Sequence, residues 1–207
     1  MSKVMRSFWI FVCTLLAALS AAGQKAPSPK VMEKLHEAEH AYATGNMARA
    51  EKLARDVLKE DPQSVQAHAL TGDLMMVGRR FLAAAQEYTA AIAADKDRHV
   101  LDPQQLRSLK NQQGSAYGLS GNLDRAQEVL TEAIQQDPDY PLFHYNLACV
   151  YAEKKQLDTA LEQLRQGWKL RENLPQGETF PDPRKDSSFA AYLNDPRFQD
   201  VVREMVF

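Results

Sequence analysis

GSAYGLSGNLDRAQEVLTEAIQQDP, residues 114–138, reads as two helices folded back on each other. Gly114, Ala116 and Tyr117 fall on one helical face, and Ser120, Gly121 and Asn122 then break the pattern. A second apolar face runs through Leu123, Ala126, Val129, Leu130, Ala133 and Ile134 and ends at Asp137-Pro138, where proline cannot continue a helix. A hairpin of this size cannot bury its own apolar stripe, so it needs copies of itself stacked alongside.

Three copies are present. A kink followed by a buried-type alanine recurs as Gly45…Ala50…Pro62, Gly78…Ala84…Lys96, Gly121…Ala126…Pro138 and, more weakly, Gln156…Ala160…Glu172. Ala50 to Ala84 and Ala126 to Ala160 are both 34 residues. Helix, turn, helix at that period resembles the tetratricopeptide repeat (TPR) over residues 31–174. The third unit matches at Gly114, Tyr117, Ala126, Ala133 and Pro138. The second matches at Gly72, Ala84, Tyr88 and Ala91, and the fourth at Leu147, Ala148, Tyr151 and Ala160. The expected fold is all-α, a right-handed superhelical stack of about four hairpins (31–64, 65–98, 107–140 and 141–174). Residues 175–207 are expected to form a connector and a C-terminal capping helix over the last apolar flank. Ala84 to Ala126 spans 42 residues. The excess is expected to lengthen the opening helix of unit three and the loop before it, with Asp102 capping and Pro103 at the first helical position.

Residues 1–23 have the layout of a secretory signal peptide: Lys3 and Arg6, then FWIFVCTLLAALSAA, ending in small residues. That run is shorter than the roughly 20 residues needed to cross a bilayer, so cleavage is expected between Ser20 and Gln24. No stable membrane span should remain. The expectation is an exported, periplasmic protein, with secretion or tethering by an uncleaved signal as alternatives. Residues 24–30, QKAPSPK, read as a linker. Cleavage removes two positive charges from a net charge of −2, leaving −4. A mildly acidic chain without clustered lysine and arginine argues against nucleic acid. Only Cys149 would survive export, which excludes an intrachain disulfide.

His36-Glu37-Ala38-Glu39-His40 satisfies the zinc-protease pattern H-E-x-x-H, and residues four apart share a helical face. The context differs: the pair sits in the opening helix of the first unit, close to the cleavage site and without a surrounding domain. A zinc-dependent hydrolase is therefore an alternative, as is a self-associating structural adaptor. No nucleophile elbow, phosphate loop or CxxC pair occurs. The reading is non-enzymatic, with no catalytic, metal or cofactor site and no cofactor. Nothing in the sequence sets an oligomeric state.

The resemblance places function in the concave groove lined by the first helix of each unit. That face is expected to receive Leu35, Glu39 and Tyr42 from unit one and Asp73 and Met76 from unit two. Asn111 and Leu119 would come from unit three, and Tyr145 and Asn146 from unit four, with Cys149 nearby. Members that clamp carboxylates present lysine and asparagine at fixed groove positions. Here Leu35, Ala69 and Asn111 stand at the lysine-type position, and Glu39, Asp73 and Ser115 at the asparagine-type one, so a carboxylate clamp is not expected. The expected partner is a protein or peptide with apolar anchors and a basic patch near units one and two, met in cell-envelope assembly or secretion.

Overall fold

The computed structural model describes residues 28–205. The expected signal peptide and most of the expected linker lie outside them. Eight helices form four hairpins: α1 (Pro29–Ala43) with α2 (Met47–Glu60), α3 (Val65–Val77) with α4 (Phe81–Arg98), α5 (Pro103–Leu119) with α6 (Leu123–Gln136), and α7 (Pro141–Glu153) with α8 (Leu157–Lys169). Three short 3-10 turns and α9 (Pro196–Glu204) complete the described chain, which contains no strand. The expected all-α stack of hairpins with a C-terminal cap is the observed architecture.

Helix boundaries follow from local chemistry. Pro29 and Lys30, expected in the linker, are the first residues of α1, because the Ser28 side chain accepts from the Val31 backbone N–H and proline suits the first helical position. The turn inside each hairpin needs one residue with left-handed backbone. Gly45 and Gly121 supply it at φ 80° and 78°, whereas units two and four use Arg79 and Lys155 at φ 57° and 60°. Gly78 and Gln156, aligned by sequence with these glycines, sit one residue to either side at φ −76° and −105°. The kink position is therefore Gly45, Arg79, Gly121, Lys155, which restores the 34-residue spacing within each pair of units.

Extra length between units two and three does not enlarge the loop. At 18 residues α4 is about one turn longer than the other outer helices, α5 at 17 residues exceeds the 15 of α1 and the 13 of α3 and α7, and only His99–Asp102 connect them. The Asp95 carboxylate accepts from the backbone N–H groups of Val100 and Leu101, both at 2.9 Å, and folds the chain back. Asp102 and Gln105 then form a reciprocal capping box. On the added turn of α4, Arg98 reaches Asp61 with two 2.7 Å bonds and ties the helix to the end of α2.

Packing is close because small residues stand where helices cross. Ala50, Ala84, Ala126 and Ala160, the repeated alanines of the outer helices, are fully buried. On the inner helices the matching contact position holds Ala38, Gly72, Gly114 and Ala148. A Cβ at Gly114 would lie 2.4 Å from Leu130 Cδ2, and one at Gly72 2.4 Å from Tyr88 Cε1. Glycine there lets Leu130 and Tyr88 be fully buried, and Leu130 alone contributes about 2 kcal/mol.

Two histidines staple the units. His68 and His144 occupy equivalent positions on α3 and α7, and each bonds the carbonyl closing the previous unit, Pro62 at 3.0 Å and Pro138 at 3.2 Å. The other ring nitrogen meets the outer helix of its own unit, at Glu87 (2.7 Å) and Gln163 (2.8 Å).

Past α8 the chain forms a shortened fifth hairpin. Asp186 caps the 3-10 turn Ser187–Tyr192, which lies on α7, and Asp195 caps α9, which lies on α8. Phe189, Phe198 and Val201 are fully buried, with the two phenylalanine rings stacked 5.4 Å apart. This is how the last repeat's apolar flank is covered.

Candidate functional site: the inner face of the stack

The inner face is built from α1, α3, α5 and α7, and its polar side chains bond across units. Asp73 of α3 accepts at Oδ1 from the Tyr88 hydroxyl (2.7 Å, from α4) and from Gln112 Nε2 (3.1 Å, from α5). Asn146 of α7 donates to Asn111 of α5 at 2.7 Å. Burial pushes the Asp73 carboxyl up to about 6, although both donors favour the ionised form. Tyr42 of α1 is pushed up to about 12 by burial and then by the nearby Asp73 charge. Glu39, one unit before Asp73, is also raised by burial, opposed by His36, whose Nδ1 lies 3.4 Å away.

Charges on the inner helices are sorted. Lys34, Arg107 and Lys110 turn to the outer layer, where they meet Glu60, Asp137 and Gln136. Glu39 and Asp73 remain on the inner side. Leu119 is more than half exposed, and Tyr42, Met76, Asn111 and Asn146 are partly exposed. Over units one to three this face is polar and acidic, with apolar patches.

Two residues expected to line the groove are buried within the protein. Leu35 is 3% exposed and packs with Val31, Val57 and Ala67, because it points into the α1–α2 seam. Tyr145 is 5% exposed; its hydroxyl donates to Asp186 Oδ2 at 2.9 Å and its ring meets Phe180 edge-on. Cys149 Sγ lies 3.6 Å from the same carboxylate oxygen, and burial, with Asp186 beside it, raises its thiol well above the usual range. Thus the segment from Phe180 to Tyr192 fills the unit-four end of the inner face. Sequence reasoning placed Asp186 in the connector, although Asp186-Ser187-Ser188-Phe189 is itself a capping pattern.

The H-E-x-x-H string lies on the exposed side of α1. Glu37 is engaged by Arg49 of α2 at 2.8 Å, and His36 leans to Glu39. Among the described residues no group of three or more His, Cys, Asp or Glu is placed to hold a metal ion, and no helix is long and apolar enough to cross a membrane.

Family models described as tetratricopeptide repeat match residues 35–99 and 119–176, together more than half the chain. The chain belongs to the tetratricopeptide-repeat family. A DnaJ homolog subfamily C member 7 homolog from Schizosaccharomyces pombe is 35% identical over 98 residues, 45% of this chain. The match spans only 21% of that longer protein. Among solved structures, MamA from Desulfovibrio magneticus RS-1 superposes with a TM-score of 0.60 at 20% identity, covering 72% of this chain and 78% of the other. A second MamA crystal structure gives 0.59 at 18% identity, covering 73% and 78%. At these identities the likeness is one of fold. TPR domains bind protein partners, and it is the repeat matches, not the superposition, that support an interaction role.

Proposed function

We propose that this protein is a non-enzymatic scaffold of the cell envelope that holds a peptide or helix of another protein along α1, α3 and α5. The observation that carries the reading is the contrast along the inner face. Units one to three leave Glu39, Asp73, Asn111 and Leu119 partly or well exposed, while Tyr145 of unit four is buried against the chain's own segment. In an ordered stack, side chains that the core does not enclose are the ones available to a ligand. Export rests on the amino-terminal pattern of residues 1–23, and assembly or secretion in the periplasm is the setting that follows from it. Apolar contact would be supplied by Met76 and Leu119 and by the edge of Tyr42.

The test is affinity capture from an envelope extract, with the chain lacking residues 1–23 as bait. Bait carrying Asp73→Lys or Leu119→Glu should lose the captured protein while keeping its helical circular dichroism. Leu193→Glu, a change at an exposed residue of the C-terminal cap, should retain it. Equal capture by all four baits contradicts the groove reading.

A further inference from the structure

We infer that the groove anchors its ligand through one lysine or arginine side chain seated on Asp73, in a segment that runs across α1, α3 and α5 and stops short of α7. The inference rests on the groove reading and adds the chemistry of the occupant.

Charge complementarity is the first argument. Asp73 stands at the middle of the inner face, partly exposed, and both of its bonds fall on Oδ1. A carboxylate offers about four acceptor sites, so capacity remains for a further donor. Among the described residues, Tyr42 from α1, Tyr88 from α4 and Gln112 from α5 meet it, none of them cationic. Among the described residues no ion pair includes Asp73, while Glu39 has His36, and Lys34, Arg107 and Lys110 are engaged on the other side of their helices. A carboxylate held in this partly desolvated place is destabilised in its charged form. An incoming cation offsets that penalty, and an incoming carboxylate adds to it. Tyr42 is near enough to feel the Asp73 charge and Met76 lies one helical turn on along α3; both are partly exposed and supply apolar surface for a lysine or arginine stem.

Length is the second argument. At the unit-four position equivalent to Asp73 stands Cys149, already against Asp186, and Tyr145 beside it is bonded to the same carboxylate. Asn146 is held by Asn111. A ligand that has crossed α5 therefore meets the protein's own segment at Tyr145 and Cys149.

Selection from a phage-displayed library of random octapeptides tests this, with the random sequences standing in for the partner. Baits are the chain lacking residues 1–23, its Asp73→Asn variant, and Ser115→Arg, which places a bulky cation on the inner face of α5. Asparagine preserves an acceptor for Tyr88 and Gln112, and matched thermal unfolding confirms that both variants remain folded. The wild-type pool, counted against the Ser115→Arg pool, should be enriched on the order of fivefold or more in lysine or arginine at one position relative to its apolar residues. That enrichment should vanish with Asp73→Asn. Groove-dependent peptides without the basic enrichment, or the same enrichment on Asp73→Asn, overturn the anchor and leave the groove standing. A wild-type pool no different from the Ser115→Arg pool overturns the groove and the anchor together.

Discussion

The Tyr145 hydroxyl donates a 2.9 Å hydrogen bond to Asp186, joining the inner helix of the last repeat to the capping segment. Tyr145, read from sequence as ligand surface, and Asp186, read as connector, make one part-buried contact. It decides where the inner face ends.

Breaking that contact should loosen the cap. Tyr145→Phe removes the donor and leaves the Asp186 carboxylate short of a partner in a part-buried site, so unfolding free energy should fall by about 1–3 kcal/mol. Cys149, which shares the carboxylate, should also react faster with a thiol reagent under native conditions. Chemical denaturation and the kinetics of thiol labelling check the two outcomes.

Lys155 holds a left-handed backbone that its equivalents Gly45 and Gly121 adopt without a Cβ. Lys155→Gly should therefore stabilise the protein by about 0.5–1 kcal/mol. Gly121→Ala should destabilise it by a similar or larger amount. Thermal melts of both variants read the opposite signs.

Gly114→Ala drives a methyl group to 2.4 Å from a fully buried leucine side chain. The expected cost is about 1–3 kcal/mol. Adding Leu130→Val should recover part of it if the clash is the cause, because the shorter side chain gives room. Denaturant titration of the two single variants and the double variant measures the coupling.

His68 is raised above its usual range, first by its hydrogen bond to Glu87 and against the effect of burial. A histidine raised in the folded state contributes stability that is fully present below about pH 6.5 and is lost as pH climbs through the raised folded value. Wild type should accordingly exceed His68→Gln in melting temperature at about pH 5.5, with the gap narrowing toward about pH 8. His144→Gln, whose site faces the uncharged Gln163, is the control for loss of the staple itself.

The repeats were legible because their signal is local. Alternation of large and small residues from Gly114 to Pro138, repeated at 34 residues, demands stacked hairpins whatever the neighbours are. Turn residues were less so: Arg79 and Lys155 take a conformation that sequence assigns to glycine, since the hairpin's closure overrides the preference of the single residue. The reach of α4 to Arg98 was hidden for a related reason, its last turn being held by Asp61 of another unit. Within the candidate site, Glu39 and Asp73 could be placed from helical register alone. Leu35 and Tyr145 could not, because inward tilt and the return of Phe180–Asp186 are set by contacts far along the chain.

Hydrogen–deuterium exchange on the protein alone and saturated with a library-selected octapeptide shows where the ligand lies. Added protection is expected for backbone amides in α1, α3 and α5, with α8 and α9 unchanged. Protection confined to the outer helices α2, α4 and α6, or to the segment after α8, would contradict the groove reading.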